Sequence, residues 1–303
     1  KWYPNDYYHV NPLIDYYYQE RLNKTTSIFA SMYADVALPL GFHYRLSFQP
    51  RFEFQKDYNF WGEETTIGGR DRLGGYGTRD DRSLNAWMVD NILTWKKEIG
   101  IHSFDLTLLY NAEQTKTYLS ESENETFRPN QSLIYHGLQF GSKPANSNDD
   151  QQSGGNALMA RLNYSLFGKY LFTTSIRRDG YSAFGRNNNK ATFPAAAFAW
   201  NISDEAFYPT NDVVDRVKLR LSWGINGNRD IGIYSSLAQI GTNLYYDGSN
   251  VQMGLYNNSL ANPGLRWEKT ESYNLGLDIG LFENRIDLSA EFYDMSTTDL
   301  LMN

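Results

Sequence analysis

The 303-residue chain contains no cysteine, which excludes disulfides and thiolate metal ligands. Its four histidines, His9, His43, His102 and His136, stand far apart, and none has metal-ligand spacing to another. Nowhere do about 18 apolar residues run together, the minimum for a helix that crosses a bilayer. Mean hydropathy is accordingly negative, −0.57. Alternating strands escape that test, because alternation halves their apparent hydropathy. Positive charge is also short: 28 Lys and Arg against 35 Asp and Glu leave −7. With no basic run interleaved with aromatics, a general nucleic-acid binder is excluded. No signal-peptide pattern opens the chain at Lys1, and it stops at Asn303 straight after a strand-like Leu300-Leu301-Met302. Both ends are expected to belong to something longer.

Aromatic residues are abundant. The 23 Tyr, 17 Phe and 7 Trp make 16% of the chain, which suits two aromatic girdles at membrane interfaces and equally suits a soluble carbohydrate-binding β-protein. Their placement is more informative than their number. From 40 to 54, Leu40, Phe42, Tyr44, Leu46, Phe48, Phe52 and Phe54 hold one parity. His43, Arg45, Ser47, Gln49, Arg51, Glu53 and, beyond, Gln55 hold the other. Side chains of a strand point alternately to its two faces, so this strand has one apolar and one charged face. Ile28 to Leu38 alternates in the same way, and a tight turn is expected at Pro39-Leu40. Such faces are what a transmembrane β-barrel requires.

The pattern predicts ten strands near 26–38, 41–55, 83–96, 101–113, 156–167, 169–179, 190–202, 215–226, 266–281 and 285–298. All reach the roughly 9–11 residues that a tilted membrane strand needs, and most run past that. Connections from odd to even strands are short, with 203–214 somewhat longer. Those from even to odd are long and polar, at 56–82, 114–155, 180–189 and 227–264. Sorting of this kind is the outer-membrane pattern of short periplasmic turns and long extracellular loops. It places Phe42 near the periplasmic side and Phe54 toward the outside. Ser142 to Asn156 reads as the most disorder-like loop segment, and 227–264, with apolar runs at 233–240 and 244–246, as the site of a small hairpin or plate. Ten strands leave two open edges, so either they close a small barrel or the rest of the sheet lies outside this chain.

Specific blocks decide between these. SIRRDGYSAFGRNNNKATFPAAAFAWNISDEAF and VKLRLSWGINGNRDI fall between Ser175 and Ile231, and LANPGLRWEKTESYNLGLDIGLFENRIDLSAEFYDMSTTDLL covers 260–301. Their order and spacing closely resemble the SusC/RagA family of TonB-dependent outer-membrane transporters of Bacteroidetes-type bacteria; 20–120 fits more loosely. The resemblance implies an all-β, antiparallel barrel of about 22 strands, of which 1–303 is a partial wall of about ten, without plug, TonB box or closing strands. It implies a cell outer-membrane importer of oligosaccharides or peptides, energised by the TonB complex through the missing N-terminal part and supplied by a SusD-like surface lipoprotein.

Candidate chemistry is sparse. No catalytic constellation, cofactor motif or metal set emerges, and no enzyme is expected. Glu63-Glu64 reads as a solvated loop pair rather than a glycosidase dyad. GGRDRLGG at 68–75 lacks the GK[ST] ending of a phosphate loop. Asn148-Asp149-Asp150 lacks the ligand spacing of a Ca²⁺ loop. Arg177, Arg178, Asp179, Arg186 and Lys190 read as a charged rim, and Trp200, Trp223 and Trp267 as girdle or wall packing. Substrate candidates are therefore loop residues: Trp61, Tyr76, Tyr181 and Phe184 for stacking, with Arg70, Arg72, Arg79, Asp80 and Asp81 for hydrogen bonds. The bland reading is that these pack on each other and on the lid. A passive porin-like channel and a soluble aromatic-rich carbohydrate-binding module remain the alternatives; the module requires the apolar parity to pack against a second sheet.

Overall fold

The computed structural model describes residues 12–69, 72, 74–128, 131–209, 213–283 and 285–301. After a short helix, Pro12–Tyr18, come β1 (Gln19–Phe29), β2 (Met32–Ala37), β3 (Phe42–Trp61), β4 (Tyr76–Ile99), β5 (His102–Glu125), β6 (Ala145–Leu166), β7 (Tyr170–Tyr181), β8 (Lys190–Asn201) and β9 (Val214–Asn228). Then follow β10 (Gln239–Tyr246), β11 (Val251–Ser259), β12 (Glu268–Leu281) and β13 (Ile286–Thr298). One antiparallel sheet runs β1-β3-β4-β5-β6-β7-β8-β9-β12-β13, with β2 also on β3, and β10 and β11 form a separate hairpin. Among the described residues the sheet does not return from β13 to β1.

All ten predicted strands are present, and the hairpin expected within 227–264 is β10–β11. The first predicted strand is divided into β1 and β2. Phe29 lies opposite Arg51 and Met32 opposite Phe48, which puts the break across from Pro50. Proline has no amide hydrogen to give to a ladder. Pro194 acts similarly: β8 pairs with β7 along its length, but with β9 only from Ala195 onward.

Loop boundaries require correction. About half of each polar stretch, 56–82 and 114–155, is strand: β3 continues to Trp61, β4 begins at Tyr76, β5 reaches Glu125 and β6 begins at Ala145. The disorder-like segment 142–156 is therefore mostly β6. Its composition is unsuited to a core, but ladder hydrogen bonds and exposed polar side chains satisfy it without one. At the other strand ends the turns are tight. Phe167 and Gly168 both have positive φ, 56° and 70°, and the Lys169 amide donates to the Leu166 carbonyl at 3.1 Å, the geometry of a type I′ hairpin.

Two compact units result. One comprises 1–31, 49–87 and 115–152, the other 32–48, 88–114 and 153–303. In the second, register assigns the faces. Arg220 lies opposite Gly276, and Asp278 opposite both Lys218 and Ser289. Arg220 reaches diagonally to Asp278 at 2.7 Å and Glu291 at 2.8 Å. Arg45 pairs with Asp35, 2.7 Å, on the same parity as His43. On the opposite parity Leu221, Tyr273, Leu275, Leu288 and Phe292 are exposed, and among the described residues no second sheet layer covers them. Side-chain burial is instead concentrated around Phe184, Ala191, Phe193 and Trp267.

Candidate functional site

In the first unit, strand ends and a short loop bring aromatic and charged groups together. Trp61, closing β3, stacks on Tyr76, opening β4, with centroids 5.5 Å apart and planes 23° apart. The Arg72 guanidinium lies 4.4 Å above the Tyr76 ring and bonds the Glu125 carboxylate, which Lys143 also reaches at 2.9 Å. Lys143 and Arg72 hold Glu125 below its ordinary value against the opposing effect of burial. The Tyr76 hydroxyl donates to Glu123; burial first, and then this carboxylate, push the phenol up to about 12. Tyr76 thus stays a neutral donor at any physiological pH.

The neighbouring candidates are placed differently. Arg79 lies 4.2 Å above the ring of Tyr58, whose hydroxyl donates to Asp81 at 2.8 Å. Tyr58 is buried, so Arg79 and Asp81 brace a packed ring. Asp80 has the other parity and lines a 330 Å³ cleft with Asp57, Glu121, Asp149, Gln151 and Arg82. Burial, then Glu121, Asp57, Asp81 and Glu123, raise its pKa above the ordinary aspartate value. Asp57 and Glu121 lie in strand overruns that the sequence pattern assigns to loops, and Asp149 reads there only as part of the Asn148-Asp149-Asp150 candidate. Period-2 continuity of 115–125 was the available signal.

Glu63 is not half of a carboxylate dyad. Arg128 grips it at 2.7 and 2.9 Å and the Gly74 amide donates to it at 3.0 Å; Arg128 foremost keeps it below its ordinary value. Asp149 and Asp150 are consecutive in β6, so their side chains diverge. Among the described residues no group of three or more metal-ligating side chains is placed to hold an ion. Arg70 and His9 lie outside the described residues.

In the second unit Tyr181 and Phe184 meet edge to face at 6.1 Å. Phe184 is only 3% exposed, stacked on Trp267 at 4.9 Å, while Phe193 meets Trp267 at 5.6 Å. Phe184 and Trp267 are therefore core: the ring predicted to stack on substrate is closed to it, and Trp267 belongs to wall packing, not to a girdle. Tyr181 is half-buried, with the Arg229 guanidinium 4.8 Å above it. Beside them opens a 480 Å³ pocket lined by Asp90, Asn111, Glu113, Arg177, Asp179 and Arg229. Its charges are internally matched: Arg177 with Asp179 at 2.8 Å, Arg229 with Glu113, and Asn111 donating to Asp90 at 2.7 Å. Parity within the predicted strands already aligned Asn111 with Glu113 and Arg177 with Asp179; only cross-strand register joined the two pairs. Trp61, Tyr76, Arg79 and Asp80 thus belong to one unit, Tyr181 and Phe184 to the other.

Comparison with known proteins agrees with this architecture. A family description, TonB dependent receptor-like, beta-barrel, matches residues 1–303. The chain is 31% identical over 272 residues to TonB-dependent receptor P3 of Formosa agariphila, covering 86% of this chain and 27% of that protein. It is 40% identical over 146 residues to TonB-dependent receptor SusC of Bacteroides thetaiotaomicron, covering 46% of this chain and 14% of that protein. In fold it is similar to the structure of the RagAB peptide transporter, with a TM-score of 0.82 at 20% identity, over 94% of this chain and 31% of that one. The chain spans less than a third of the length of these relatives.

Proposed function

The chain belongs to the TonB-dependent receptor-like β-barrel family, and from that premise we propose that it forms part of the wall of a SusC-type importer in the cell outer membrane. The stretch of each strand nearest its short turn crosses the bilayer, and the overruns, with Tyr76, Asp80 and Glu125, stand outside it. The carrying observation is the division of faces: one parity is apolar and uncovered from Leu46 to Phe292, while the other is laced by Arg45–Asp35, Arg177–Asp179 and Arg220–Asp278. A soluble protein rarely leaves so large an apolar sheet face in water. A carbohydrate-binding sandwich would have covered it.

In this reading the wall continues beyond the free edges of β1 and β13, in strands of the longer protein. Every residue of β13 is exposed, and an edge cannot face lipid with its backbone unpaired. Around the polar parity lies a lumen closed by a plug, with the TonB complex supplying work. A SusD-like lipoprotein delivers oligosaccharide or peptide from above. Trp61 and Tyr76 offer a stacked aromatic edge to such a cargo, and the mixed charges around them suit either class. Tyr181, braced by Arg229, is the corresponding group of the second unit.

Uptake measurements separate this importer from a passive channel. In cells making the full-length protein, a protonophore that collapses the inner-membrane gradient is expected to stop uptake of labelled oligosaccharide or peptide. Uptake that continues unchanged is the outcome of a porin and overturns the TonB-driven reading.

A further inference from the structure

Arg177 and Arg178 are adjacent, yet they face opposite chemistry. Arg177 turns to the polar parity and closes on Asp179, as Arg45, Arg216, Arg220 and Arg229 close on carboxylates of their own. Arg178 lies opposite Leu158 on one side and Thr192 on the other, on the apolar parity. Among the described residues it has no ion-pair partner. Beneath it runs a 670 Å³ furrow lined by Leu108, Tyr110, Leu158, Ala160 and Ile176, to which no carboxylate contributes. Within it Ala160, the smallest of these side chains, lies directly across from Ile176.

One step further along the same face stands Lys190, opposite Gly180. Its side chain lies over that glycine, with Cγ 3.5 Å from where a β-carbon would be. No carboxylate among the described residues pairs with it either. Arg178 and Lys190 are diagonal cross-strand neighbours, within reach of one ligand. Two unmatched cations therefore crown a dry furrow, at the end of β7 and β8 remote from the tight Phe167-Gly168 turn. A guanidinium and an ammonium together suit a phosphate, and the furrow suits hydrocarbon.

We propose that Arg178 and Lys190 bind the phosphate of an outer-leaflet glycolipid whose acyl chain occupies the furrow below them. This rests on the reading of the apolar parity as lipid-facing. The site is distinct from the cargo path, which belongs to the opposite face of the same strands. It ties the wall to a particular lipid at the level of the membrane surface.

The test uses the full-length protein, purified in non-ionic detergent and stripped of lipid. It is titrated with monophosphoryl lipid A and, separately, with the dephosphorylated form, and bound lipid is counted by native mass spectrometry. Wild type is expected to prefer the phosphorylated form by roughly ten-fold, the worth of a charge-assisted contact. R178Q/K190Q is expected to lose that preference, while R186Q, the same type of change in the β7–β8 loop, keeps it. A160W, which fills the furrow, is expected to weaken both forms alike. Equal binding of both forms by wild type, or an unchanged preference in R178Q/K190Q, overturns the phosphate site and leaves the membrane reading standing. A wild type that binds neither form and stays monodisperse without detergent overturns both.

Discussion

Phe184 carries the largest correction at the scale of single residues. Its position in a Gly- and Asn-rich loop suggests a ring offered to cargo, but Trp267 and Tyr181 enclose it. Phe184→Ala is expected to cost about 3–5 kcal/mol, as for other buried aromatic truncations, read as a lowered urea midpoint for the full-length protein in lipid vesicles. A surface ring would cost far less. Asp80 makes the opposite case, because its neighbours oppose its ionisation. Between the ordinary aspartate value and its own raised one, the folded protein keeps a proton that the unfolded chain has released, so stability falls as pH rises through that window. Asp80→Asn removes this slope. It is expected to stabilise the protein at pH 7 by ~0.2–1 kcal/mol, the scale of like-charge contacts across strands, and to have no effect at a pH low enough to protonate Asp80 in both states. Equal effects at both pH values would show that the cleft does not act through charge.

At the scale of elements, parity is the organising quantity. Leu275 and Asn274 are neighbours in the middle of β12, one facing out with Leu221 and the other across from Ser222. Leu275→Arg is expected to cost about 2–4 kcal/mol in a bilayer, as cations do on the lipid face near its midplane. Asn274→Arg should change stability by less than about 1 kcal/mol, because a polar lumen hydrates the charge. Equal costs, measured by urea unfolding in vesicles, would contradict the assignment of faces. The same period of two made all ten strands legible without coordinates. It failed where polar residues alternate with polar residues: in 145–155 both parities are polar, so no hydrophobic contrast marks that part of β6. Pro50 and Pro194 were visible in the sequence, but the ladders they interrupt depended on which strand lay opposite.

For the whole molecule, the sheet has free edges at β1 and β13 among the described residues. Pairing those edges with further strands satisfies their amides and carbonyls and encloses the polar parity. Protonophore-sensitive uptake is the prediction that belongs to this scale, since only the assembled importer can couple movement to energy. The sequence by itself determined the strands, the two faces and the family, because each is written in local alternation or in contiguous blocks. Tertiary structure alone decided that Phe184 is core, that Asp57, Asp80, Glu121 and Asp149 converge, and that the Arg177–Asp179 pair meets Asn111 and Glu113 in one pocket. These depend on register between strands distant in sequence, and a slip of one residue would reverse every one of them.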